Sequence, residues 1–348
     1  MVAVYPHASR SVTDDISVVN APNHPDRRDQ TYLLRPGPIH FTALRIAVDE
    51  ELHIGRWTCS GALRTFAHLT ADTLHIAFPT GTSLRLDGLP IDDEDAVVTL
   101  SLGGADCSVS TLQQIQCVEM IVSGQTLAVL LAGSRELREA LSAQCSGRMA
   151  VMRIGRSALA LRDALRHALE AGREALAQTD PEGLTETVSQ QPIDQGFDAA
   201  IWRRVILDLV RPMLEDTLAS ADLLSTRAGH RRHALAREAE RLIWRRIACG
   251  EAGGLSLDAL CADLGTTRRT LQLAFQDHFA TSVGLVTRSA RLQQVRTELG
   301  SGTAPAVSET ALRSGFDHLG RFARYYRDFF GESPSATLRG QRRRSGAA

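Results

Sequence analysis

The sequence predicts an α+β multidomain fold with a β-rich N-terminal region, a helical middle segment and an all-α C-terminal region. Three patterns carry this prediction. Short apolar or alternating runs between glycines fill the first region, which is typical of a β-sandwich or barrel. Leucines then recur at three- and four-residue steps, as they do in amphipathic helices. Finally, one helical pattern occurs twice near the C-terminus, which indicates an internal repeat.

The N-terminal region divides into a lead-in and a β-rich domain. Prolines and the polar run NHPDRRDQ predict that residues 1–30 are irregular, with partial disorder up to about Ser11. From residue 31 to 133 we expect short strands separated by glycine turns. The strands are predicted in FTALRIAVDEELHIGRWTCSG, TLHIAFPTG, SLRLDGLPI, AVVTLSLGG and EMIVSGQTLAVLLAG. The acidic run at 92–95 is interpreted as a solvated turn.

Residues 134–227 form the predicted helical segment, which would act as a linker or a dimerisation element. Helices are expected in SRELREALSAQC, in Ala158–Gln178 and in Gln195–Ser220. Pro212 is expected to kink the last of these, because proline removes a backbone donor inside a helix. The interval TDPEGLTETVSQQPID between the second and third helices is predicted to be a loop.

Residues 228–340 form the predicted C-terminal domain, and residues 341–348 form a basic tail that we expect to be mobile. The domain opens with an amphipathic helix over 228–249. The two copies of the repeat follow at 255–282 and 305–334. Each copy has a short helix, a glycine turn and a longer helix, which is the pattern of a helix-turn-helix motif.

The turn residues of the two copies explain why each chain segment would bend. Gly265 and Gly315 can adopt the left-handed conformation that ends a helix. Thr267 can cap the next helix, and Asp317 or His318 would open its counterpart. The longer helices are predicted to bury Leu271, Ala274, Phe275 and Phe279 in the first copy, and Leu319, Phe322, Tyr326, Phe329 and Phe330 in the second. Such a second helix, here called the recognition helix, enters a DNA major groove.

The outer faces of the recognition helices carry side chains that suit DNA. Arginine makes bidentate bonds to guanine and glutamine to adenine, and both also bind phosphate. The candidate DNA-binding residues are Arg268, Arg269, Gln272, Gln276, His318, Gly320, Arg321, Arg324 and Arg327. Between the copies, residues 283–299 read as one continuous helix, which at 1.5 Å per residue spans roughly 25 Å. A helix of that length would place the recognition helices in successive major grooves.

The C-terminal domain resembles the AraC/XylS family of bacterial transcription regulators. The resemblance rests on LxxLCxxLGxTxRTLQ, on the pair Arg291–Leu292 and on ALRSGF…RFARYYRDFFGESP. It implies that both recognition helices contact DNA and that an N-terminal cupin-like barrel binds a small effector. Two positions depart from the family pattern. Leu273 stands where arginine is usual, so the first motif would read DNA more weakly, and Val283 replaces a proline.

Charge is distributed unevenly along a chain whose formal net charge is −1. Residues 220–348 contain 20 arginines against 12 acidic residues, whereas residues 1–135 contain 9 arginines against 15. Every basic residue apart from histidine is arginine. Positive charge therefore collects on the region that is predicted to meet phosphate groups, where it would raise DNA affinity.

The residues of the β-rich domain do not form a recognisable catalytic or metal-binding motif. His40, His53, His68 and His75 are dispersed, and neither an HxH pair nor a GxSxG motif occurs. The six cysteines lack zinc-ligand spacing and are interpreted as reduced, mostly buried thiols. We therefore expect no catalytic residue, no metal and no cofactor. The start of the chain does not resemble a signal peptide and its apolar runs are short, which favours a cytoplasmic protein that does not insert into membranes.

The sequence thus predicts a sequence-specific DNA-binding transcription regulator, an effector-responsive activator by its resemblance. Its expected partners are double-stranded DNA, a small-molecule effector, RNA polymerase and a second copy of the chain. Two alternatives stay open. The N-terminal domain would only dimerise or bind a protein partner in the first, and it would be a cupin-type enzyme in the second.

Overall fold

The computed structural model describes residues 5–13, 27–81, 83–91, 96–145, 147–179, 188–193, 196–219, 224, 230–251, 255–301, 304 and 306–345. The chain divides into two compact units. The first unit contains residues 1–30, 39–60 and 65–225. The second contains residues 226–348 together with two short segments of the β-rich region, 31–38 and 61–64. The turn predicted for the acidic run at 92–95 lies outside the described residues.

The β-rich region forms two antiparallel sheets, as the sequence predicts; its cupin-like character remains a prediction. Its strands are β1 (His7–Thr13), β2 (Arg27–Leu33), β3 (His40–Ala47), β4 (Leu52–Ser60), β5 (Leu63–Leu69), β6 (Thr73–Gly81), β7 (Leu84–Leu86), β8 (Leu89–Ile91), β9 (Val97–Leu102), β10 (Asp106–Thr111), β11 (Gln114–Ser123), β12 (Ala150–Arg153) and β13 (Val188–Pro192). Within the described residues, one sheet has the order β12-β9-β6-β11-β4-β3-β1-β13. The other has the order β2-β5-β10-β7-β8.

The larger sheet buries one face against helices of the middle segment. Its central pairs are antiparallel and in continuous register, with Met120 of β11 opposite both Ile54 of β4 and Ile76 of β6. These three side chains are at most 2% exposed and belong to one apolar core. Because side chains alternate along a strand, His75 and Glu119 lie on the opposite face. They are also buried, and His75 Nε2 lies 3.1 Å from Glu119 Oε2.

The helices of the first unit are α1 (Gly124–Leu131), α2 (Arg135–Cys145), α3 (Arg156–Thr179) and α4 (Ala199–Ala219). The last three match the predicted helical middle segment, and Pro212 lies inside α4. Helix α3 approaches the sheet closely at Gly172, where an added Cβ would lie 2.1 Å from Ile46 Cδ1. A glycine at this position therefore sets the distance between helix and sheet.

Helix α1 corrects the strand predicted for the end of EMIVSGQTLAVLLAG. The apolar run suits a strand locally, but the Glu51 carboxylate accepts hydrogen bonds from the backbone N–H groups of Gln125 and Thr126, each at 2.8 Å. The Thr126 hydroxyl also donates to it, and together these bonds hold the pKa of Glu51 below its usual value. A carboxylate at a helix N-terminus stabilises the helix. This one is more than seventy residues away in sequence, so local patterns do not report it.

Two other predictions, the irregular lead-in and the loop after α3, are wrong because strands form there through pairing with a distant strand. Residues 1–30 are not irregular throughout, because β1 pairs with β3 over His7–Thr13 and β2 starts at Arg27. The interval predicted as a loop contains β13, which pairs with the other edge of β1. Both strands are polar, and each is stabilised by backbone hydrogen bonds to a distant strand rather than by an apolar pattern of its own.

The C-terminal part of the second unit is all helical in its described residues. Its helices are α5 (His230–Ala248), α6 (Leu257–Asp263), α7 (Arg268–Phe279), α8 (Val283–Gly300), α9 (Val307–Arg313), α10 (Leu319–Phe330) and α11 (Pro334–Ser345). Helices α6 and α7 lie in the first copy of the repeat, α9 and α10 lie in the second, and α8 lies between them. Helix α11 continues to Ser345, into the segment predicted as a mobile tail, whose mobility stays a prediction. The Ser333 hydroxyl accepts from Ala336 N at the start of this helix.

A buried polar cluster lies inside the second unit. Arg64 is fully buried and donates from Nε and Nη2 to the two carboxylate oxygens of Glu240 on α5, at 2.7 and 2.8 Å. Its Nη2 also lies 3.0 Å from Nε2 of His278 on α7. Because a guanidinium only donates, His278 Nε2 is the acceptor. The Tyr32 hydroxyl binds the same Glu240 carboxylate, and burial is the main reason why the pKa of Tyr32 is raised well above its usual value.

The six cysteines are free thiols, and all except Cys249 are buried. Burial raises the pKa of both Cys59 and Cys145 to about 12, which keeps these thiols protonated. Among the described residues, no group of three or more His, Cys, Asp or Glu side chains is placed to hold a metal ion. No helix in the described part of the chain has the length and apolar character needed to cross a membrane.

The repeat generates a prediction about stability at the ends of the recognition helices. Both end in a left-handed residue, which is Ala280 (φ 52°) after α7 and Gly331 (φ 73°) after α10. Ala280→Gly should raise the free energy of unfolding by about 1 kcal/mol, because an L-residue pays a steric cost in this conformation. Urea unfolding followed by circular dichroism measures the change.

Gly331→Ala is the matched control and should lower stability by a similar amount. An added Cβ at Gly331 meets no heavy atom within 4 Å, so its effect reports the backbone conformation alone. Equal stability of the Ala280→Gly variant and the parent would show that the left-handed residue carries no cost here.

Candidate nucleic-acid interface

The first helix-turn-helix motif consists of α6 and α7. The Ser256 hydroxyl accepts from Ala259 N at 3.1 Å and caps α6. Gly265 then adopts the left-handed conformation (φ 57°) that ends this helix. The Thr267 hydroxyl accepts from Thr270 N at 3.1 Å and starts α7, as the sequence predicts. The local sequence therefore encodes both ends of the turn.

The second motif, α9 and α10, repeats this geometry with one change at the start of the recognition helix. Gly315 is again left-handed (φ 79°). His318 precedes α10, but its side chain makes no capping hydrogen bond. Leu319 was predicted to point inward and is instead 41% exposed, so this part of the prediction is wrong. As the first residue of α10, Leu319 lies at the open end of the helix, before the face that packs begins.

The inner faces of both recognition helices are aromatic and buried. Phe275 and Phe279 of α7 are fully buried, with ring centroids 4.8 Å apart. Phe322 and Tyr326 of α10 are equally buried, and the Tyr326 hydroxyl lies 2.9 Å from Thr337 Oγ1 on α11. Each recognition helix is thus fixed by its inner face, which leaves its outer face free of a packing role.

Helix α8 connects the motifs and is the predicted rigid spacer. The Ser282 hydroxyl accepts from Leu285 N and caps its start. Its buried residues occur on several sides of the helix and include Val286, Ala290 and Val295. Being packed on several sides, α8 cannot bend or turn without disturbing the core of the second unit.

Arg291 of α8 contacts both motifs at once. Its Nη2 donates to the Leu255 carbonyl, just before α6, at 3.1 Å. Its Nη1 donates to the carbonyl of Gly315, in the turn of the second motif, at 3.2 Å. Burial lowers the pKa of Arg291, while nearby Asp317 acts in the opposite direction. A single guanidinium therefore fixes the start of one motif relative to the turn of the other.

The predicted DNA-binding residues are all exposed in the structure. Those on or next to the recognition helices are Arg268, Arg269, Gln272, Gln276, His318, Gly320, Arg321, Arg324 and Arg327. Arg268 is the one most engaged with its own motif, since its Nε donates to Asp258 Oδ1 at 2.5 Å. That hydrogen bond lowers the pKa of Asp258 and raises the pKa of Arg268. Leu273 is 42% exposed, so the first motif presents an apolar side chain on its outer face.

A cleft of about 560 Å³ brings residues of both recognition helices together. Gln272 lines it from α7, and His318 and Arg321 line it from the start of α10. The first half of α8, up to Arg291, also lines the cleft. Both recognition helices therefore border one opening, α7 through Gln272 and α10 through residues of its first two turns.

Sequence reasoning missed two residues of this cleft, Arg288 and Tyr325. The Arg288 guanidinium carbon lies 4.3 Å from the centroid of the Tyr325 ring. Arg288 precedes Arg291 by three residues, a spacing that places both on one face of α8. From this spacing, the sequence alone could have predicted that Arg288 lies on the same face as Arg291. The contact with Tyr325 joins residues from two different helices, so it needed the tertiary structure.

Comparison with known proteins agrees with this geometry. A protein-family model described as a helix-turn-helix domain matches residues 260–340. The XylDLEGF operon transcriptional activator of Pseudomonas putida is 39% identical over 87 residues, which are 24% of this chain and 27% of that protein. The probable thc operon regulatory protein of Rhodococcus erythropolis is 36% identical over 87 residues, which are 24% of this chain and 26% of that protein. The chain therefore spans about a quarter of the length of these curated relatives.

A solved structure is also similar in sequence. It is a probable AraC family transcriptional regulator from Rhodopseudomonas palustris CGA009 and is 34% identical. The match covers 31% of this chain and 97% of that chain, with a TM-score of 0.28.

Residues 257–330 therefore contain two helix-turn-helix motifs connected by α8, and a helix-turn-helix family model matches residues 260–340. This similarity agrees with the resemblance of the C-terminal region to the AraC/XylS family.

The bridge made by Arg291 generates a second prediction. Arg291→Met should lower the free energy of unfolding by about 2 to 4 kcal/mol, because it removes two charged hydrogen bonds and leaves two backbone carbonyls without their donors. Urea unfolding followed by circular dichroism tests this.

Arg269→Met, at an exposed position of α7, is the control and should change stability by less than about 0.5 kcal/mol. A loss at Arg291 no larger than at Arg269 would mean that the bridge does not hold the motifs together.

Proposed function

We propose that this chain is a sequence-specific, effector-responsive DNA-binding transcription regulator, and more specifically an activator. One observation carries the proposal: Gln272 of α7 and Arg321 of α10 line a single cleft, inside a region that a helix-turn-helix family model matches. Two recognition helices that open to the same side can engage one duplex together.

The dimensions of α8 support simultaneous binding. This helix has 18 residues, so it is about 27 Å long. Successive major grooves on one side of B-DNA are about 34 Å apart. The helix is fixed by buried side chains along its length and by Arg291. We infer that the spacing between the recognition helices is set before DNA binds, which avoids an ordering cost during association.

The nine exposed residues divide by chemistry into two roles. Arg321, Arg324 and Gln272 have the reach and donor geometry for base edges in the major groove. Arg268, at the first turn of α7, is paired with Asp258 and is better suited to phosphate, where a charge-assisted bond can replace the internal pair. The arginine excess of residues 220–348 adds attraction for the duplex that does not depend on sequence.

The first unit is the proposed sensor. Regulation requires an effector whose affinity differs between two conformations of the protein, because equal affinities shift no equilibrium. The relatives that match the C-terminal region are named as transcriptional activators or as a regulatory protein, which favours activation and contact with RNA polymerase here. A cytoplasmic location follows from promoter DNA as the partner. The proposal assigns no catalytic role to the chain.

We also propose that the chain forms a homodimer through α4. The outward face of this helix carries Ile201 (58% exposed) and Val205 (37% exposed), which are large apolar side chains at an exposed surface. Arg204 and Asp208 flank them, with side chains 85% and 73% exposed. In an antiparallel pair related by a two-fold axis, Arg204 of each copy would face Asp208 of the other. A dimer would let one regulator bind two DNA sites.

The third prediction concerns base recognition. Arg324→Ala should weaken binding to the preferred sequence by about 1 to 3 kcal/mol and relax preference at one base pair, because Arg324 is exposed on the outer face of α10. Selection of preferred duplexes from a random pool, followed by affinity measurement with the full chain, gives both quantities. An equal loss on every sequence would make Arg324 a phosphate contact. No loss at all would remove it from the interface.

The fourth prediction concerns α4. Arg204→Asp should abolish dimerisation by placing like charges opposite each other across the two-fold axis. The double change Arg204→Asp with Asp208→Arg should restore it, since the charges are complementary again. Sedimentation equilibrium over a concentration series measures the association. A monomeric parent protein, or a dimer unaffected by Arg204→Asp, would contradict the proposal.

A further inference from the structure

Arg288 lies in the cleft between the two motifs and has no role in the interface described so far. It belongs to the second turn of α8, and its guanidinium is stacked on the ring of Tyr325 from α10 at 4.3 Å. Stacking occupies the face of a guanidinium and leaves its N–H donors pointing outward along its edge. Those donors suit the oxygens of a phosphate.

The charge of the cleft also favours an anion. Among its described lining residues, the arginines are Arg288, Arg291 and Arg321, and the carboxylate is Asp317. Arg291 is used by the two backbone carbonyls, so Arg288 and Arg321 supply the donors that face the opening. Asp317 opposes an anion and reduces the positive potential, but it does not cancel two guanidinium groups.

The position of the cleft identifies the anion. When two recognition helices occupy successive major grooves, the duplex between them turns its minor groove and the two flanking backbones toward the protein. The cleft lies between Gln272 of α7 and Arg321 of α10, so in such a complex this stretch of backbone would pass its mouth. A cleft of about 560 Å³ leaves room for a phosphate group and part of its sugar.

We propose that the cleft binds the sugar–phosphate backbone of the duplex between the two major grooves, with Arg288 as a phosphate ligand and Tyr325 as its positioning residue. The inference rests on the proposed DNA-binding function and adds a contact that belongs to neither recognition helix. It gives the spacer helix a direct part in DNA binding, in addition to its structural one.

The test measures binding of the full chain to a fluorescein-labelled mixed-sequence duplex by anisotropy across a salt series. Each phosphate contact contributes about 0.9 to the slope of log affinity against log salt. Arg288→Gln should lower the slope by about 0.9 and weaken binding at low salt. Arg288→Lys should retain most of the slope because it keeps the charge. Arg135→Gln, on exposed α2, makes the same charge change elsewhere and should leave the slope unaltered.

A second pair of variants covers the case in which Arg288→Gln impairs folding. Gly284 lines the cleft, and an added Cβ there meets no heavy atom within 4 Å. Gly284→Asp places a carboxylate at the mouth in the first turn of α8, where acidic residues favour the helix. It should weaken DNA binding on the order of tenfold relative to Gly284→Asn, which has the same size without the charge.

The outcomes separate the two proposals. A parent chain without salt-dependent DNA binding overturns the proposed function, and this inference with it. A parent that binds, together with an Arg288→Gln variant of unchanged slope, overturns only the inference. Equal affinities of Gly284→Asp and Gly284→Asn do the same. A lower slope for Arg288→Gln, or a weaker Gly284→Asp variant where Arg288→Gln does not fold, supports it.

Discussion

The geometry of the helix-turn-helix region depends on the hydrogen bonds that Arg291 makes to two backbone carbonyls. One carbonyl precedes the first motif and the other lies in the turn of the second, so their relative position is fixed by one planar side chain. A guanidinium can do this because its donors have a rigid geometry that an ammonium lacks. Arg291 is partly buried, which limits the exchange of these bonds for water. The caps, turns and aromatic faces determine the structure of each motif. The hydrogen bonds of Arg291 determine the position of one motif relative to the other.

The sequence predicted the C-terminal region far better than the β-rich region, for a physical reason. Thr267, Ser282 and Gly265 act on residues within one turn of themselves, so their roles are visible in the local sequence. Strand β1 and helix α1 instead depend on partners far away, namely β3 and Glu51. The same division applies inside the interface. Exposed arginines followed from helical periodicity, whereas the stacking of Arg288 on Tyr325 did not.

The two motifs are not equivalent, although they share a pattern. The first ends in a left-handed alanine where the second has glycine, and Leu273 occupies its outer face. The first is also tied to the rest of the unit by His278, which lies beside the buried Arg64. The second presents more arginines and packs against the terminal helix α11. Under the proposed function, we infer that α10 contributes more of the sequence reading than α7.

The buried contact between Arg64 and Glu240 joins residues 176 positions apart. A fragment that starts at residue 228 keeps the carboxylate and loses its guanidinium, and a buried charge without its partner is strongly destabilising. During synthesis, the segment that carries Arg64 leaves the ribosome long before helix α5 does. The core of the helical region therefore includes the segment that carries Arg64, which is synthesised before the helices. The boundary of this unit is therefore set by the ion pair between Arg64 and Glu240, and not by the point where the helices begin.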